Sequence, residues 1–116
     1  MKALTVKQIE TKTHPQTKNL FWFLFVGTKG GHTRSRIITH LRNKPSNKNQ
    51  LAHDLDIDYK GVEHHLRTLE SSNMVTKLGE RYGATYFVSS LFEDGQEVFD
   101  EIVTKLKKVG GPEWSK

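Results

Sequence analysis

The sequence predicts a mainly helical α+β domain, on three observations. Amphipathic helical patterns crowd between Thr33 and Asn73, two short strand patterns follow around the turn YGA, and a broad helical apolar stripe runs from Leu91 to Val109. At 116 residues the chain has room for one domain, divided into an arm at 1–17, a body at 18–109 and a loose tail at 110–116. A chain this small and polar often completes its core by pairing with a copy of itself.

The arm alternates weakly at Leu4, Val6 and Ile9, which allows a short strand, and His14-Pro15 breaks whatever precedes it. The run LFWFLFV, residues 20 to 26, fits a buried strand or a buried helix by periodicity alone. A short helix from near Thr17 is expected, because GTKGG is a good helix stop, with Gly27, Gly30 and Gly31 as a hinge. Thr33 is the expected cap of the next helix, which runs to about Asn43 with Ile37, Ile38 and Leu41 on one face; Lys44-Pro45 ends it. Ser46 or Asn47 caps a shorter helix that turns Leu51, Ala52 and Leu55 inward. After a tight turn at DID, Asp58 caps a third helix with Val62, Leu66 and Leu69 on its buried side, ending at Asn73, a residue that tolerates the left-handed conformation. Val75 to Arg81 and Thr85 to Ser89 then read as a hairpin, and Gly110, Gly111 and Pro112 stop the last helix.

Composition removes several function classes. Without cysteine there is no disulfide framework, thiolate metal site or cysteine nucleophile. The N-terminus MKALTVKQIE lacks the apolar segment of a secretory signal, and LFWFLFV is far short of the ~20 residues of a membrane span, so a cytoplasmic protein is expected, with no membrane partner. No HExxH, glycine-rich phosphate loop or nucleophile elbow occurs, and GTKGG lacks P-loop spacing, so no enzyme is expected. The net charge of +5 is unevenly spread: Thr11 to His53 holds no acid, whereas Glu93, Asp94, Glu97, Asp100 and Glu101 cluster late. A basic front and an acidic back suit a surface that faces a polyanion.

Helix, short helix, tight turn, longer helix and hairpin together make a winged helix-turn-helix with flanking N- and C-terminal helices. The stretch TRSRIITHLRNKPSNKNQLAHDLDIDYKGVEHHLRTLESSNMV, followed by YGATYFVSS, resembles the ArsR-like winged-helix transcriptional regulators, most closely their archaeal members. The resemblance covers about residues 18 to 90 and is strongest from Thr33 to Val75. It implies a homodimer that binds double-stranded operator DNA and regulates transcription. Gly61 stands where the family often has a small hydroxyl residue or alanine.

A helix fits the major groove and presents its N-terminal exposed residues to the base edges. With Val62, Leu66 and Leu69 buried, Lys60, Glu63 and His64 are placed to read bases, and Glu63 suits a cytosine amine. Tyr59 and Arg67 are expected on phosphates, with Lys48, Arg34 and Arg36 as further backbone contacts and Lys77 and Arg81 on the wing. Neighbouring helix positions point about 100° apart, so one metal ion cannot take both His64 and His65. His65, beside the buried stripe, is expected to be half-buried and bonded to a backbone carbonyl. A site joining His40, His53 and His65 is the weaker alternative; no metal and no cofactor are expected. The apolar residues Phe21, Phe92, Phe99, Ile102, Val103 and Leu106 are expected at a dimer interface. The rival function is a protein–protein interaction module in a transcription or nucleic-acid-processing complex, which the acids Glu63 and Glu70 would suit.

Overall fold

The computed structural model describes residues 15–80 and 83–109. The expected arm strand at Leu4 to Ile9, the tail at 110–116, and Arg81 and Tyr82 of the wing lie outside the described residues. Helix α1 spans Pro15–Trp22 and passes into one wide π turn at Phe23–Gly27; α2 is Gly31–Asn43, α3 Lys48–Leu55 and α4 Tyr59–Ser71. Strands β1 (Val75–Leu78) and β2 (Thr85–Val88) form an antiparallel hairpin in which Val75 faces Val88 and Leu78 faces Thr85. Helix α5, Ser90–Val109, closes the domain.

Local chemistry accounts for most of these boundaries. α1 is already helical at Pro15, the first described residue, ahead of the start expected near Thr17. Thr33 does not cap α2. Gly30 does, at φ +94, and the reason is close packing: a Cβ on Gly31 would lie 2.6 Å from the Phe25 carbonyl carbon and oxygen. α3 starts with a capping box, in which the Gln50 N–H donates to Asn47 Oδ1 and the Asn47 N–H donates to Gln50 Oε1, each at 2.8 Å. Ser46 is used differently, exchanging backbone hydrogen bonds with Tyr86 so that the hairpin is tied to the loop before α3. Asp58 caps α4 by accepting from the Gly61 N–H at 3.1 Å. Gly61 is thus at the third helical position, where a Cβ would press on Asp58 Oδ1 at 2.9 Å. Asn73 takes the left-handed conformation at φ 62 just past the helix end, and the Met74 N–H reaches back to the Leu69 carbonyl at 2.8 Å.

The core resolves the ambiguity of LFWFLFV. It is helical, and it buries Phe21, Leu24 and Phe25 while leaving Trp22 and Phe23 exposed. Phe21 stacks on Phe92 at 5.7 Å between ring centroids, and Phe25 meets Phe99 edge-on at 5.0 Å. α5 approaches closely at Gly95, where a Cβ would lie 3.1 Å from the Phe21 ring. This packing corrects one expectation. Phe21, Phe92, Phe99 and Ile102 are at most 2% exposed within the single chain, so they form its own core and are not available as an interface. Val103 and Leu106 stay partly accessible at its edge.

Candidate nucleic-acid interface

α4 is held by one buried stripe, Val62, Leu66 and Leu69, which fixes the opposite face towards solvent. On that face Lys60, His64 and Arg67 are exposed, while Tyr59 and Glu63 are half-buried. Lys77 is exposed on β1, 3.9 Å from the Glu70 carboxylate. α3 lies across the start of α4, as the tight turn at Asp56 (φ 56) and the Ile57 N–H to Ala52 carbonyl bond require. The first turns and solvent face of α4 are therefore rich in donors.

Three of the expected phosphate contacts are occupied within the fold. Lys48 Nζ donates to Glu63 Oε2 at 3.0 Å and sits 5.9 Å from the Tyr59 ring centroid. Arg36 spends a guanidinium N–H on the Leu55 carbonyl at 2.7 Å, which ties α2 to the end of α3. Arg34 is only 4% exposed. Its Nε donates to the Leu24 carbonyl at 2.8 Å, and its terminal nitrogens reach Thr28 Oγ1 at 2.5 Å and His65 Nδ1 at 3.2 Å. A phosphate contact by Arg34 is therefore corrected: burial commits its fork to the π turn and to α4.

His65 is half-buried, as expected, but its partner is Arg34 and not a backbone carbonyl. A guanidinium only donates, so Nδ1 accepts and the ring is neutral, with its proton on Nε2. Burial first, then the charges of Arg34 and His64, hold the pKa of His65 below its ordinary value. The neutral form is the one the fold prefers. Its contribution to stability is present above the unfolded pKa of roughly 6.5 and is lost as the pH falls through the folded value. His65→Gln keeps an acceptor but cannot titrate, so its melting temperature is expected to change less than that of the wild type between about pH 7 and pH 5. Equal slopes for the two proteins would show that His65 does not carry this dependence. Asp54 is held below the usual carboxylate range by its hydrogen bonds with His40 and His53, so its own titration falls below that window.

The three histidines of the alternative metal site do not converge. His40 Nε2 and His53 Nδ1 take the two oxygens of Asp54, at 2.9 and 3.2 Å, while His65 turns to Arg34. Among the described residues no three histidine, aspartate or glutamate side chains gather as metal ligands. Sequence reasoning placed the exposed residues of α4 but missed the links from Arg34 to His65 and from Lys48 to Glu63. They span 31 and 15 residues, and no local pattern announces them.

Residues 31–77, from the start of α2 to β1, match the model of the family described as bacterial regulatory protein, arsR family. Among solved structures, the transcriptional regulator BldR from Sulfolobus solfataricus is similar in fold, with a TM-score of 0.52 at 13% identity over 90% of this chain and 81% of that one. Among curated proteins no sequence matches the chain. No helix among the described residues is long and apolar enough to cross a membrane. Residues 31–77 are therefore similar to the arsR family of bacterial regulatory proteins, and the chain carries them on a winged-helix fold.

Proposed function

We propose that the protein is a sequence-specific, double-stranded-DNA-binding regulator that lays α4 in the major groove and the β1–β2 hairpin along the neighbouring backbone. The observation that carries this reading is the solvent face of α4. Lys60, His64 and Arg67 stand exposed on a helix whose Val62, Leu66 and Leu69 face the core, just past a basic N-terminal half, while the acids Glu93, Asp94, Glu97, Asp100 and Glu101 are exposed on α5. Lys60 and His64 suit base edges, and Arg67 and Lys77 suit phosphates. Arg81 belongs to the same wing in sequence. In this reading the chain acts in the cytoplasm as a homodimer with two α4 helices about 34 Å apart, in successive major grooves. The accessible apolar side chains suited to join two copies include Trp22 and Phe23, 44% and 56% exposed, with Val103 and Leu106.

The acids that favoured a protein-binding module are already neutralised, Glu63 by Lys48 and Glu70 by Lys77. Changing Lys60, His64 and Arg67 together to alanine is expected to weaken duplex binding by at least ten-fold, because each removes a contact and two remove cationic charge. Unchanged affinity in a folded triple variant would take α4 out of the interface.

A further inference from the structure

The pairing of Lys48 with Glu63 raises a question that the DNA-binding reading leaves open. A carboxylate is the wrong charge for a surface that meets phosphates, yet Glu63 projects from the second turn of α4, next to His64. It is also ordered. The Glu63 side chain is 34% exposed and that of Lys48 22%, and the ammonium is held between Glu63 Oε2 at 3.0 Å and the face of Tyr59. Oε1 makes no hydrogen bond among the described residues.

We propose that Lys48 and Glu63 work as one recognition unit, in which the ammonium holds Oε2 and cancels the charge while Oε1 accepts from the N4 amine of a cytosine at one position of the operator half-site. This rests on the DNA-binding reading above and gives it a chemical specificity. In the major groove the exocyclic amines are the donors, N4 of cytosine and N6 of adenine. Beside N6 lies the acceptor N7, which repels a group that only accepts, so a carboxylate selects cytosine. Lys48 is a positioning residue here and does not touch the base. Its hydrogen bond to Glu63 raises the ammonium pKa, so Lys48 stays a cation beside the carboxylate and the pair is neutral in sum. Tyr59 backs the ammonium through its ring face.

The test is selection from a randomised duplex library, followed by competition at each selected position, for the wild type, Glu63→Gln, Lys48→Met and Lys48→Arg. The wild type is expected to prefer C·G at one half-site position by roughly ten-fold or more, the range of one good base contact. Glu63→Gln is expected to move that position to A·T and leave the others unchanged, because an amide both donates to N7 and accepts from N6. Lys48→Met is expected to lose the C·G preference there, and Lys48→Arg to restore it, since a guanidinium also donates to Oε2. A purely structural lysine would give another pattern, with Lys48→Met weakening all duplexes alike while the preference at that position persists. That pattern, or a Glu63→Gln protein that still selects C·G, would overturn the proposal while leaving DNA binding intact. A wild type with no duplex affinity would remove both.

Discussion

Phe99→Asp is expected to unfold the chain and not to release folded monomers. Phe99 is 1% exposed and touches Phe25 and Phe92 edge-on, at centroid distances of 5.0 and 5.3 Å. A carboxylate there has no partner, and even the cavity left by Phe99→Ala costs about 3–5 kcal/mol. A small domain holds only about 5–15 kcal/mol in total, so a buried unpaired charge added to that loss exceeds its reserve. Arg42 lies 5.6 Å from the Phe99 ring centroid, but it is bound to Asp100 at 2.7 Å and cannot easily serve a new carboxylate. Phe23→Asp is the control, because Phe23 is exposed and its change should leave circular dichroism intact. Size exclusion and circular dichroism on both variants decide the matter. A folded, monomeric Phe99→Asp protein would show that the phenylalanine serves an interface after all.

Arg34→Ala is expected to cost about 3 kcal/mol in urea unfolding, a large share of the total for a surface-lying cation but reasonable for this one. Arg34 has no carboxylate partner among the described residues; its charge is solvated by the Leu24 carbonyl, the Thr28 hydroxyl and the His65 imidazole, with the Lys29 carbonyl at 3.5 Å. Thr28 in turn donates to the Phe23 carbonyl at 2.7 Å. These acceptors close the end of the π turn, where carbonyl groups carry partial negative charge. Removing the guanidinium strands a buried carbonyl and unties the turn from α4 in one step. Arg34→Lys is expected to recover only part of the loss, because one ammonium cannot follow the planar fork. If Arg34→Ala were as stable as the wild type, the network would be a packing coincidence and the π turn would need another cause.

Local chemistry made much of this fold legible. Asn47 and Gln50 form the capping box that their spacing invites, Asp58 caps α4, and Asn73 takes the left-handed turn. Hydrophobic spacing likewise found the buried side of α4 at Val62, Leu66 and Leu69. What periodicity cannot tell is what covers an apolar stripe. Phe21, Phe92 and Phe99 have the pattern of an interface, and the chain's own α1 and π turn fill the space instead. The start of α2 escaped for a related reason: Thr33 is a good cap by type, but the backbone contact between Gly31 and Phe25 shifts the cap to Gly30, and that contact exists only after folding. For the candidate interface, the exposed Lys60, His64 and Arg67 follow from the period of the helix. The fates of Lys48, Arg34 and His65 depend on partners far away in sequence, which charge and composition do not encode locally.

The most direct test of the central claim is the binding of the wild-type chain to a mixed genomic duplex pool, followed by fluorescence anisotropy over a series of salt concentrations. If α4 and the hairpin grip the duplex, affinity falls linearly on a log–log scale, with a slope near −0.9 for each phosphate neutralised, and a few such contacts per copy give a steep dependence. Affinity that is weak at every salt concentration and does not fall with salt would contradict the account.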